Sequence, residues 1–129
     1  MGKMKIQRLL IVFILLSVML TEAKAQNKMP NKEAFKYKIT FIELGSVRCI
    51  PCQKMQVVMK SIEKKYGSQV KVVFHDVWTP EGKPFGEKYG IEVIPTQVFL
   101  DENGKEFSRH EGYFPEEELV KVLKSKGVK

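Results

Sequence analysis

Cysteine is scarce in this chain, with two in 129 residues. That is too few for a disulfide-stapled scaffold and too few for a four-cysteine zinc site. Histidine is as rare: only His75 and His110 occur, and they are not spaced as a ligand pair. No long apolar stretch is present. The longest run, Leu9 to Leu20, has 12 residues and would rise only about 18 Å as a helix, short of the roughly 30 Å hydrocarbon core of a membrane. Apolar residues make up 43% and charged residues 29%, which excludes collagen-like, low-complexity and wholly disordered chains. The length allows one domain, and no internal repeat is visible.

The net charge of +7 is inflated by the first segment. Lys3, Lys5 and Arg8 give a basic start, the apolar run follows, and Ala23-Lys24-Ala25 supplies a small-x-small pattern. That order is a secretory signal peptide over residues 1–25, with an uncleaved anchor as its alternative. No cysteine lies near the cut, so a lipid-modified cysteine there is excluded. Residues 1–25 hold four basic residues and one acid, which leaves 18 basic and 14 acidic in the remainder, a net of +4. The basic residues are dispersed, with Lys64-Lys65 the only adjacent pair after the cut. They predict a solvated surface and no nucleic-acid partner.

Residues 26–37 are polar and read as a leader. A domain over 38–126 follows. Lys38 to Gly45 reads as a buried strand around Ile39, Phe41 and Ile42. In Ile50 to Tyr66, Met55, Val58, Met59, Ile62 and Tyr66 recur at steps of three and four and share one helical face. Pro51 sits near the helix start and Gly67 follows its end. Val70 to Val77 is a second strand, Thr79 to Gly82 a turn, and Lys83 to Tyr89 a short helix stopped by Gly90. Thr96 to Leu100 and Lys105 to Glu111 are strands joined by hairpin chemistry at Asp101 to Gly104. Pro115 to Lys124 closes the chain as a helix with acids first and lysines last. The order β-α-β-α-β-β-α describes an α/β mixed sheet covered by helices.

Cys49-Ile50-Pro51-Cys52 falls between the first strand and the long helix. A cysteine at a helix N-terminus meets free N–H groups that favour its thiolate, and a second cysteine one turn on is close enough to pair with it. The pattern suits an attacking thiolate with a resolving thiol. Three other readings remain: a purely structural disulfide, which such a short loop would reward little; a zinc site, which lacks two ligands; and copper held by the two thiolates.

With those cysteines at a strand-to-helix turn, Tyr89-Gly90 and Ile94-Pro95-Thr96 before the third strand, and Gly112 before the last helix, the chain resembles the thioredoxin family from about Lys38 to Lys124. The resemblance implies a thioredoxin-like α/β fold. It implies that Cys49 is the nucleophile and Cys52 the resolving cysteine. It makes Pro95 the family's cis proline, in a substrate-binding loop with Ile94 and Thr96. Glu43, six residues before Cys49, stands where thioredoxins keep a buried acid behind the active site. Glutamate there is similar to the extracytoplasmic reductases of cytochrome c maturation and disulfide correction. Glu43 could point to water in a strand that alternates inside and outside, but Ile42 and Leu44 beside it favour a strand buried on both faces, where an acid would have a raised pKa and could exchange protons with Cys52.

Two departures stand out. Arg48 precedes the first cysteine where thioredoxins carry tryptophan, and Cys-Ile-Pro-Cys replaces Cys-Gly-Pro-Cys. Trp78, in a lengthened segment after the second strand, is expected to pack in the core. His75 and His110 are expected as ordinary strand or surface residues. The whole implies an exported, monomeric thiol–disulfide oxidoreductase of the periplasm or another extracytoplasmic space. It would use no cofactor or metal, act on protein disulfides and draw electrons from a membrane thiol carrier. A disulfide-forming oxidant and a copper-binding module are the alternatives. Cleavage after Ala25 is directly testable: intact mass of the exported protein should give a chain beginning at Gln26, and a mature form retaining Leu9–Leu20 would overturn the signal-peptide reading.

Overall fold

The computed structural model describes residues 37–129. The signal segment and nearly all of the leader lie outside the described residues. Four strands and three helices alternate as β1 (Ile39–Gly45), α1 (Ile50–Tyr66), β2 (Val70–Asp76), α2 (Lys83–Tyr89), β3 (Thr96–Asp101), β4 (Glu106–Glu111) and α3 (Glu116–Ser125). This is the order read from the sequence. The strands form one sheet in the order β2-β1-β3-β4. β1 runs parallel to β2 and antiparallel to β3, and β3 pairs antiparallel with β4.

Side-chain alternation along β1 assigns its residues to two cores. Ile39 and Phe41 point to the face covered by α1 and α3, where they meet Met55, Val58, Met59, Ile62, Phe99, Leu119 and Leu123. Phe41 stacks on Phe99 with ring centroids 5.1 Å apart, and Val128 also packs into this cluster. Ile42 and Leu44 point the other way, with Val98, and are covered by Val77, Phe85, Tyr89 and Ile91 around α2. A strand covered on both faces has no room for alternation of apolar and polar residues, which is why KITFIELG reads as nearly continuous.

The connections are closed by local hydrogen bonds. At the β3–β4 turn only Gly104 has positive φ, 75°. The Asp101 carboxylate does the rest, accepting from Asn103 N at 2.9 Å and Lys105 N at 3.0 Å. After β2, Thr79 Oγ1 donates to Asp76 O and accepts from Gly82 N. Position 82 requires glycine because a Cβ there would collide with Asp76 O. His75 stacks on Phe85 at 3.6 Å; burial, and then Lys88, hold its pKa below the ordinary histidine value. Among the described residues no helix is long and apolar enough to cross a membrane.

Phe41 has no exposed surface and lies at the centre of the larger cluster. Phe41→Ala should therefore lower the unfolding free energy by about 3–5 kcal/mol, read from urea transitions. A loss well under 1 kcal/mol would show that the stack on Phe99 is not central to the core.

Candidate functional site

β1 delivers the site. Its last residue, Gly45, leads into a tight turn, Ser46 to Cys49, from which α1 starts. Cys49 caps that helix in an extended conformation, and its Sγ accepts from Cys52 N at 3.4 Å. Ser46 O accepts from Cys49 N at 3.2 Å and Ser46 Oγ from Arg48 N at 3.3 Å. Cys49 and Cys52 are joined as a disulfide with their Cα atoms 5.2 Å apart. The two sulfurs are not equivalent to solvent: Cys49 keeps 8% exposure and Cys52 none. Attack from outside is therefore open only at Cys49.

A second anchor for this turn was not read from the sequence. Asp76, the last residue of β2, accepts from Val47 N at 3.2 Å and from Trp78 N at 3.0 Å. Partial burial works to raise its pKa, but those two N–H donors, with Ser46 and Arg48, hold it below the usual carboxylate range. Asp76 thus ties the segment before Cys49 to the loop after β2. Trp78 does not enter the core as expected. It is 53% exposed, and the Arg48 guanidinium lies over its ring at 5.6 Å. The polar lengthened loop keeps the indole at the surface, and the cation gives one of its faces a partner.

Glu43 is fully buried. It lies on the α1 face of β1, in line with Ile39 and Phe41. Burial pushes its pKa up to about 8, against a smaller lowering effect of Gln97. Gln97 approaches the carboxyl without forming a well-directed bond: among the described residues neither carboxyl oxygen has a hydrogen-bond partner. An acid at about 8 keeps its proton at neutral pH, whereas an ionised Glu43 would carry a full unpaired charge into the core. Gly45 is what brings the acid and the disulfide together. A Cβ placed there would be 3.1 Å from Cys52 Sγ and 3.6 Å from Glu43 Oε1. The sulfur and the carboxyl oxygen therefore flank a single point that any larger residue would fill.

The Ile94-Pro95-Thr96 loop enters β3 beside the end of β1, with Thr96 opposite Leu44. The Ile94–Pro95 bond is cis. Pro95 O accepts from Gly112 N at 2.7 Å. Thr96 is fully buried and its hydroxyl donates to Val93 O at 2.7 Å, so its side chain shapes the loop from inside. Ile94 stays partly exposed. Six large apolar side chains are exposed among the described residues, and five of them, Val47, Ile50, Trp78, Val93 and Tyr113, belong to the segments at this one end of the sheet. Among the described residues no group of three or more His, Cys, Asp or Glu side chains is placed to hold a metal.

Glu43 should leave a pH signature in stability. Its folded-state pKa is raised, so the fold favours the protonated form. Between the ordinary value of 4.5 and about 8 the unfolded chain has lost this proton while the folded chain keeps it, and stability falls as pH rises. Below that window the group contributes no slope, and above it the penalty is constant. Glu43→Gln should flatten this fall in urea midpoints measured from pH 4.5 to 8.5; a parental slope in the variant would show that Glu43 titrates as an ordinary carboxylate.

Comparison with known proteins agrees with this geometry. Residues 16–127 match the family model of the thioredoxin-like domain. The chain is 30% identical over 88 residues to chloroplastic thioredoxin Y of Oryza sativa subsp. japonica, covering 68% of this chain and 51% of that protein. It is 28% identical over 95 residues to a thiol:disulfide interchange protein TxlA homolog of Synechocystis, covering 73% of this chain and 53% of the relative. The chain thus spans about half the length of these relatives. The crystal structure of the germline-specific thioredoxin Deadhead of Drosophila melanogaster superposes with a TM-score of 0.61 at 29% identity, covering 72% of this chain and 85% of that one. With the Cys-x-x-Cys disulfide at the start of α1 and the cis proline before β3, the chain belongs to the thioredoxin-like domain family.

Proposed function

We propose that this thioredoxin-like oxidoreductase is an exported disulfide reductase of the periplasm or another extracytoplasmic space, acting on protein disulfides. The observation that carries the reading is the buried Glu43 carboxyl beside Cys52 Sγ, with only the Gly45 gap between them. In the reduced protein the Cys49 thiolate attacks one sulfur of a substrate disulfide. The other substrate sulfur leaves as a thiol after taking a proton. In the ionised fraction of Glu43, about one tenth at pH 7 for a group near 8, Cys52 then gives its proton to the carboxylate and attacks the Cys49 sulfur of the mixed disulfide; the second substrate sulfur leaves and takes a proton from solvent. Two electrons have passed to the substrate, and the protein is left with the Cys49–Cys52 disulfide. A carboxylate whose pKa lies near 8 is a far better acceptor for a thiol proton than an ordinary carboxylate.

The surroundings of Cys49 favour a reductant. A strong oxidant needs an over-stabilised thiolate. Here Arg48 is exposed, faces Trp78 and shares its charge with Asp76. Solvent screening weakens what remains of its pull on the thiolate. An ionised Glu43 opposes the thiolate, but most of the carboxyl is protonated at neutral pH and adds no charge there. The ionised minority is the form that accepts the Cys52 proton during resolution. The ring of Val47, Ile50, Trp78, Val93 and Tyr113 suits an unfolded or extended polypeptide better than a small thiol. The partly exposed Ile94, with Pro95, offers backbone to such a chain. In an oxidising compartment the disulfide must be re-reduced from outside, which calls for a membrane thiol carrier as electron donor. The protein acts as a monomer and needs no cofactor.

Cys52→Ser should accumulate mixed disulfides with substrate proteins on non-reducing gels, while Cys49→Ser should trap none. The potential of the Cys49–Cys52 couple should lie near −270 mV or below. A value near −120 mV would make the protein a disulfide-forming oxidant, and copper bound by the parent but lost in Cys49→Ser would favour the metal-carrying alternative.

A further inference from the structure

On the sheet face beneath α1 and α3 the fully buried polar side chains fall in one row. Glu43 on β1, Gln97 on β3 and His110 on β4 lie opposite one another in register. Glu43 and Gln97 are fully buried and His110 partly so. Polar groups in such a place cost stability unless they are bonded, so their partners carry information.

The orientation of the Gln97 amide is set from outside the row. Gly112 O can only accept, so the amide nitrogen faces it, at 3.1 Å. The amide oxygen then faces His110 Nδ1 at 2.9 Å. An amide oxygen also only accepts, so Nδ1 carries the proton of the histidine. The His110 ring is held in turn by stacking on Phe114, with centroids 3.9 Å apart and planes 9° from parallel. The same Gly112 donates its N–H to Pro95 O at 2.7 Å. One glycine therefore anchors both the proline loop and the buried amide.

The Gln97 nitrogen has two hydrogens, and Gly112 takes one. We propose that the nitrogen end of the amide is the end presented to Glu43, close enough to act on its charge without closing a hydrogen bond, and that Gln97 and His110 are positioning residues that set how tightly Glu43 holds its proton. The groups facing Glu43 are few. Cys52 approaches from α1 across the Gly45 gap, Phe74 is its register partner on β2, Gln97 faces it from β3, and His110 of β4 acts through Gln97. Gln97 is the one neighbour that opposes burial in the titration of Glu43. Turned the other way, the amide would present its oxygen to the carboxyl and favour the protonated acid instead. Gly112 and His110 together oppose that turn, and without His110 only one bond holds the amide.

The inference deepens the reading of Glu43 as the proton acceptor for Cys52, but its test does not depend on turnover. The oxidised full-length protein is labelled with carbon-13 at the glutamate carboxyls, and the Glu43 resonance is assigned by its loss in Glu43→Gln. Gln97→Leu and His110→Ala should each raise the Glu43 midpoint, by about one unit. His110→Asn, which returns an N–H donor to the Gln97 oxygen, should bring it back. The pH at which Cys52 resolves a mixed disulfide should move with the midpoint. An unchanged midpoint in a folded Gln97→Leu would overturn the proposal. A shift in Gln97→Leu with none in His110→Ala would overturn the part given to His110. If Gln97→Leu does not fold, the His110 pair of variants carries the test alone, since that ring is only partly buried. Parental resolution in Glu43→Gln would remove the acceptor reading itself, and the titration would still report on the row.

Discussion

The structure turns on a carboxyl group with no exposed surface beside a disulfide. Burying an acid without an ion pair raises its proton affinity, and the rise is set by how completely water is excluded. β1 supplies that exclusion because helices cover both its faces. The same strand ends in Gly45, whose missing Cβ leaves the space that Cys52 and Glu43 share. The disulfide, the acid and the core are therefore one assembly: a looser sheet would lower the pKa of Glu43, and a larger residue at 45 would separate it from the sulfur.

Much of this was legible in the sequence because it rests on local rules. Apolar steps of three and four placed the long helix within a residue of its ends, and its buried face carries the methionines and Ile62 as read. KITFIELG indicated a strand covered on both faces, which is what makes Glu43 interesting, and the glutamate is buried there. The partners of these groups were not legible, because they are made between segments far apart in the chain. Asp76 looks like a strand end until its carboxylate is found on Val47 N, 29 residues away. Gln97 is the one amide side chain inside TQVFL, and that was the available signal. Its meaning needs the register that sets it between Glu43 and His110.

Trp78 shows the limit of composition as a guide. A lone tryptophan is usually core, and that expectation failed because the β2–α2 loop is fixed by polar contacts before it reaches the sheet. Thr79 and Gly82 close the loop on Asp76 O, and Asp76 holds Trp78 N. The indole is left exposed beside Arg48, at the end of the sheet that carries the disulfide. Arg48 likewise changes meaning in three dimensions. Next to Cys49 in sequence it reads as a thiolate stabiliser, but stacking on Trp78 and the nearby Asp76 divide its charge among other groups.

The roles proposed for Glu43 and for the proline loop share a structural root. Gly112 has φ of 86°, a left-handed conformation that favours glycine. This turn lets its N–H reach the proline loop while its carbonyl receives the Gln97 amide. If a substrate chain occupies Ile94 and Pro95 as proposed, it meets a loop bonded to the same residue that holds the amide opposite Glu43. A coupling of the two would need no moving domain, only a small shift at Gly112. Since Glu43 has no hydrogen-bond partner of its own among the described residues, small changes in the position of Gln97 act on a group that nothing else holds. Proton transfer from Cys52 would then answer to whether a substrate occupies the loop, which is when resolution is useful.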